Sequence, residues 1–135
     1  MKELTIEASV QNIQAVVAFV DAELERAECP MKTQLQFDIA IDELFTNIAQ
    51  YAYPAETGSA TVRFELEDGP RAAVVTFIDS GIPFDPLARE DPDVSLPAEE
   101  REIGGLGIYM VKKSMDDIAY RRESGRNILT IKKRI

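Results

Sequence analysis

Glu43 and Asn47 stand four residues apart in a stretch of helical periodicity, so they share one face of a helix. One carboxylate and one carboxamide there supply a proton acceptor and an oxygen ligand of the kind Mg²⁺ prefers. Asp79 ends an apolar run and opens the segment Asp79-Ser80-Gly81-Ile82-Pro83-Phe84-Asp85. An acid at a strand end can accept a hydrogen bond from a ligand's donor edge, and a glycine beside it allows close backbone approach. Gly104-Gly105-Leu106-Gly107 opens a later helical stretch. Free backbone amides and the helix dipole can hold an anion at such a start. Each feature also has a plain use: a solvated helix face, a strand-ending turn, a hinge before a helix. The glycine cluster lacks the GK[ST] of a P-loop, and neither its spacing nor its surroundings fit a dinucleotide fingerprint.

Composition narrows the chemistry. The chain has 135 residues, 15 Lys+Arg against 24 Asp+Glu, and a formal charge of −9. A surface this acidic argues against nucleic acid as a partner, since phosphate contacts need a basic face. There is no histidine, which removes His-based triads, His metal ligands and a phospho-accepting His from this chain. A single cysteine, Cys29, removes internal disulfides, Cys-cluster zinc sites and CxxC redox pairs. Acid–base work is left to carboxylates, Lys or Tyr. The absence of a secretory signal and of an apolar run of membrane-spanning length makes a cytoplasmic protein without membrane attachment the expectation.

The elements that must position these residues follow from periodicity. Residues 2–7 alternate as a short strand. Ser9 is placed to cap a helix to about Arg26, with Val10, Ile13, Val16, Val17, Val20 and Leu24 at helical spacing. A second helix is expected over 31–52, with Leu35, Ile39, Leu44 and Ile48 as its buried stripe, and with Glu43 and Asn47 on the opposite side. Strands at 60–67 and 71–78 flank Asp68-Gly69-Pro70, a hairpin turn. Residues 80–104 hold four prolines and many acids without periodicity, the mark of a functional or mobile loop. A third helix over about 106–115 precedes strands at 117–123 and 126–134, with Ser124-Gly125 between them. Cys29 beside Pro30 reads as inert, and Arg121-Arg122 and Lys132-Lys133-Arg134 as solvated strand faces. The expected fold is one α+β domain over 1–135: a single, mostly antiparallel sheet with about three helices on one face.

Taken together and in order, a helical ExxxN, a strand-end DxGxPFD, a long loop and a GGLG helix start resemble the GHKL ATPase superfamily. The chain looks most like its small stand-alone branch, the anti-sigma-factor serine-protein kinases. The resemblance spans about 4–135 and rests on DELFTNIAQYAYP (42–54), FIDSGIPFDP (77–86), GGLGIYMVKKSMDDI (104–118) and NILTIKK (127–133). It implies a histidine-kinase-like ATPase sandwich that uses Mg²⁺ and ATP. By resemblance, Asn47 ligates Mg²⁺, and Glu43 is the general base toward the attacking hydroxyl. Asp79 accepts from the adenine amino group, and Gly81 lets the purine approach the backbone. Residues 86–103 correspond to the ATP lid. Gly104, Gly105, Leu106 and Gly107 bring amides to the phosphates, and Thr130 lies near adenine.

The implied function is phosphorylation of a serine on an anti-sigma-antagonist protein of STAS type, with a sigma factor as a further partner and a homodimer as the assembly. Phosphoryl transfer of this kind needs positioning and charge neutralisation more than covalent work by the protein, which agrees with a chain lacking His. The alternative is a nucleotide-dependent binding module that sequesters a sigma factor or another regulator without transfer. One departure stands out: Tyr51 occupies a position where these kinases often carry His. The lid is also acidic, with Glu90, Asp91, Asp93, Glu99, Glu100 and Glu102 against Arg89 and Arg101.

Overall fold

The computed structural model describes residues 1–88 and 106–135. Five strands form one sheet: β1 (Lys2–Glu7), β2 (Ser59–Glu67), β3 (Ala72–Asp79), β4 (Asp117–Glu123) and β5 (Arg126–Arg134). The strand order is β1-β2-β3-β5-β4, and every pairing is antiparallel. Among the described residues there are three α-helices: α1 (Ile13–Arg26), α2 (Met31–Tyr51) and α3 (Leu106–Ser114). Val16, Val20 and Leu24 of α1, Phe37, Ile41 and Phe45 of α2, and Val111 of α3 share one core with the inward residues of the strands. The expected α+β sheet-and-helix architecture is the one observed, with element ends shifted by a residue or two. No helix among the described residues is long and apolar enough to cross a membrane.

Strand pleating sorts the side chains. Ala73, Val75 and Phe77 of β3 and Leu129 and Ile131 of β5 alternate onto the core face. Asp79 and Asn127 have the same parity and are opposite each other in the β3–β5 register. Both are therefore carried inward at the end of the pair, where the core meets the C-terminal turn of α2. They are 5% exposed, two of the three buried polar residues among the described ones.

Two expectations about the helices change. Ser9 caps a single 3-10 turn, Val10–Asn12, by accepting from the Gln11 amide at 3.3 Å, and α1 proper begins at Ile13. The buried stripe of α2 is Gln34, Phe37, Ala40, Ile41, Leu44 and Phe45. Leu35 and Ile39 instead face solvent, 52% and 64% exposed. Apolar residues occupy most of the circumference of α2, and its larger side chains, Phe37 and Phe45, set the rotation by filling the space over the sheet. Glu43 and Asn47 then lie at the border of the buried stripe, half-buried, rather than across the helix from it.

Candidate nucleotide site

Between the end of α2 and the ends of β3 and β5 lies a narrow recess with a cavity volume of about 30 Å³. Leu44, Phe77 and Leu129 form apolar walls, while Asn47, Asp79 and Asn127 supply polar groups.

Asp79 is held by two donors on one oxygen. Its Oδ1 accepts from the Gly81 amide at 2.9 Å and from Asn127 Nδ2 at 2.9 Å. Among the described residues Oδ2 accepts no hydrogen bond, so one acceptor of a buried carboxylate is unused by them. Asn127 is fully employed. Its Nδ2 also donates to the Ile82 carbonyl at 2.8 Å, and its Oδ1 accepts from Tyr120 Oη at 2.5 Å and the Phe84 amide at 3.3 Å.

The loop after β3 is fastened from three further directions. Arg122, exposed on β4 as expected, also donates to the Gly81 carbonyl at 2.8 Å and so braces the loop. Tyr53 Oη accepts from the Ser80 amide at 2.9 Å and donates to the Ser59 carbonyl at 2.7 Å. Ile82 donates its amide to the Ala52 carbonyl at 2.9 Å. Gly81 packs on that same peptide: a Cβ there would be 2.2 Å from the Ala52 oxygen. The requirement for glycine at 81 thus comes from the close approach of loop and helix end, where the resemblance implied an approach by a purine.

One helical turn before Asn47, a lining residue of the recess, Glu43 of α2 meets the start of α3. A Cβ on Gly107 would be 2.2 Å from Glu43 Cδ and 2.3 Å from Oε2, so the carboxylate occupies the space a side chain at 107 would need. The Asn47 side chain hydrogen-bonds the Glu43 carboxyl. An ionised carboxylate only accepts, so Asn47 gives its NH₂ to that bond and keeps its carbonyl oxygen available. Burial raises the Glu43 pKa above the usual glutamate value; the nearby Asp42 charge adds to the rise, and the Asn47 bond opposes it.

Several expected positions fall elsewhere. Gly104, Gly105 and the 89–103 part of the expected lid lie outside the described residues. Leu106 begins α3. Thr130 is not brought to the recess. Its parity on β5 is opposite to that of Asn127 and Leu129, and it faces the other side of the sheet, within 3.4 Å of Thr76 Oγ1 and beside Arg63. Asn127 stands where Thr130 was expected to act. A polar residue on the inward parity of an otherwise apolar strand was the signal that could have found it. Tyr51 is half-exposed and stacks on Phe84, a lining residue, with ring centroids 5.3 Å apart. The departure at 51 thus builds an aromatic rim. Cys29 is half-buried and burial raises its thiol pKa, in keeping with an inert role.

Comparison with known proteins decides the family. The family described as histidine kinase-like ATPase domain matches residues 6–133. The chain belongs to this family. Among individual proteins, it is 36% identical over 98 residues to the serine-protein kinase RsbW of Bacillus cereus and to that of Bacillus thuringiensis. The match takes in 70% of this chain and 60% of each relative, so the chain spans about three-fifths of the length of the curated kinases it matches. The fold is similar to a crystal structure of the RsbU and RsbW domains of a Mycobacterium tuberculosis protein. That match has a TM-score of 0.63 at 14% identity, covering 99% of this chain and 32% of the other. A blue-light activated histidine kinase domain of Erythrobacter litoralis matches with a TM-score of 0.55 at 15% identity, over 90% of this chain and 60% of the other. The histidine kinase-like ATPase domain therefore accounts for the sheet, its three helices and the place of the recess. It also makes ATP the ligand class for which the acid, the carboxamide and the helix start are to be weighed.

Proposed function

We propose that this chain is an Mg-ATP-dependent serine-protein kinase acting on an anti-sigma-antagonist protein of STAS type in a partner-switching system. The observation that carries the reading is the Glu43 carboxyl set against Gly107 and joined to Asn47, which lines the recess with Asp79. A pure nucleotide-binding module needs Asp79 and Asn47. It has no need of a half-buried carboxylate with a raised pKa placed at the start of α3.

In this reading Asp79 Oδ2 accepts from the adenine amino group, and Asn127 holds the carboxylate in register for it. Asn47 Oδ1 would hold Mg²⁺, which on binding neutralises charge on the phosphates. Glu43 accepts the proton of the incoming serine hydroxyl; its raised pKa brings it nearer the operating pH, where a general base is most effective. The start of α3 would offer its first-turn amides and positive dipole end toward phosphate. Gly104 and Gly105 would extend that cradle. The loop 86–103 serves as the lid, and a sigma factor is the second partner.

The test has two parts. Calorimetry should show Mg-ATP binding that Asn47→Ala removes. Radiolabelled ATP should then transfer its terminal phosphate to a serine of the STAS-type protein from the same genome, and Glu43→Gln should stop transfer while ATP still binds. Nucleotide binding with no transfer to any such protein would favour the sequestering module instead.

A further inference from the structure

Met31, Leu35 and Ile39 follow one another at four-residue intervals along α2, and the next step in the same row is Glu43. Residues so spaced form one ridge on a helix surface. The three apolar members are exposed to 67%, 52% and 64%. Met110 is also exposed, 54%, and stands one turn along α3 from Gly107, the residue packed on the Glu43 carboxylate. Large apolar side chains thus lie on both helices that meet at Glu43. Single exposed apolar residues are ordinary, but a run bordering a functional group marks an interaction site.

We infer that the Met31–Leu35–Ile39 ridge, continued by Met110, is the docking surface for the protein that delivers its hydroxyl to Glu43. This rests on the kinase reading above. The geometric reason is reach. A macromolecular acceptor must bring one side chain to the carboxylate, so its body must lie on the elements that border Glu43. Those are the outer face of α2 and the start of α3. Charge selects the occupant. The α1–α2 segment carries Asp21, Glu23, Glu25, Glu28, Asp38, Asp42 and Glu43 against Arg26 and Lys32. The net charge of −9 favours a partner that brings positive charge to this face. The fitting partner carries apolar side chains beside its acceptor serine and a basic group opposite the exposed Asp42.

The experiment uses Ile39→Lys, Leu35→Lys and Met31→Lys in the full chain, with Leu66→Lys on β2 as a control at an exposed apolar site away from the ridge. The acceptor is the STAS-type protein from the same genome. Its KM and kcat, its direct binding by interferometry, and Mg-ATP affinity by calorimetry are all measured. The ridge variants should raise the acceptor KM by roughly tenfold, as loss of a central contact does, with kcat and Mg-ATP affinity unchanged. Leu66→Lys should change nothing. An unchanged acceptor KM in all three ridge variants overturns the docking surface and leaves the kinase reading standing. Acceptor binding that is lost in the ridge variants, with no transfer even by the wild type, supports the surface and overturns the kinase reading. Wild type that binds Mg-ATP but not the acceptor overturns the surface as well as the partner. A second copy as the occupant would appear as a wild-type dimer that Ile39→Lys dissociates, and would also overturn it.

Discussion

Asn127 Nδ2 lies 2.9 Å from Asp79 Oδ1, joining two buried residues 48 positions apart in the chain. Both are at the last inward position of the β3–β5 pair, so the sheet register itself sets their contact. With the Gly81 amide on the same oxygen, the carboxylate cannot rotate without breaking two hydrogen bonds. Asp79 is in this way oriented by the chain before any ligand arrives. Preorganised acceptors of this kind lose less on binding than ones that must first be ordered.

Asn127→Leu should therefore cost both stability and base recognition. It removes the partner of Asp79 Oδ1, the Ile82 carbonyl, Tyr120 Oη and the Phe84 amide. Buried groups left without partners cost about 1–3 kcal/mol each, and relaxation of the exposed loop brings the expected total to about 3 kcal/mol by urea unfolding. Asn127→Asp is the sharper probe. It sets a second carboxylate against Asp79, so one of the pair takes up a proton. The preference for ATP over ITP, which differs at the amino group Asp79 would read, should narrow in that variant. An unchanged ATP/ITP ratio in folded protein would show that Asn127 acts on stability alone.

Glu43→Gln should lower phosphoryl transfer by about 10²–10⁴-fold with little change in Mg-ATP affinity. The wild-type pH profile carries the second signature. Burial raises the Glu43 pKa, and only the deprotonated form accepts a proton. Activity should then fall as pH drops, with an acid limb centred above the ordinary glutamate value of about 4.3. The limb should vanish from whatever activity the Glu43→Gln variant retains.

Alanine at the two packed glycines should behave differently. At Gly107 the obstacle is the end of a flexible side chain, the Glu43 carboxyl. Moving it costs little, and alanine favours the helix by up to about 1 kcal/mol, so thermal stability should stay near wild type. Transfer should fall with it, because Glu43 is displaced. At Gly81 the obstacle is the Ala52 backbone carbonyl at 2.2 Å, held in place by the end of α2. Gly81→Ala should destabilise by about 1–3 kcal/mol and weaken nucleotide binding together, measured by denaturant unfolding and calorimetry.

A carboxylate pair away from the recess makes stability depend on pH. Asp38 of α2 has its pKa raised to about 7, first by burial, then by its hydrogen bond to Asp21 of α1 and by the charges of Asp21 and Glu25. Asp38 Oδ1 and Asp21 Oδ1 are both buried without a hydrogen-bond partner. The folded form binds this proton more tightly than the unfolded chain, whose value is about 3.9. The stabilisation is thus complete below the unfolded value and is lost as pH rises toward about 7. Asp38→Asn keeps a hydrogen-bond donor there at every pH. Its stability relative to wild type should rise between pH 4 and pH 8, measured by urea unfolding across that range.

Periodicity and motif order were enough to name the elements, the α+β class, two of the groups that line the recess, Asn47 and Asp79, and Glu43 one helical turn away. Each lies where a local pattern changes, at a helix turn of mixed polarity or at the end of an apolar strand, and such changes are written in neighbouring residues. Which way an element faces is not local. Apolar residues surround most of α2, so Leu35 and Ile39 fit a buried stripe as well as Phe37 and Ile41 do; the volume available over the sheet chose the latter and turned the former outward. On β5 a polar side chain at 127 or at 130 reads equally well as a site residue. The register with β3 put Asn127 against Asp79 and sent Thr130 to the far face. Gly81 was legible as a close approach, but the Ala52 carbonyl it approaches belongs to the end of another element. Spacing along a chain reports which residues can share a face; only packing between elements fixes which face is buried and what it meets.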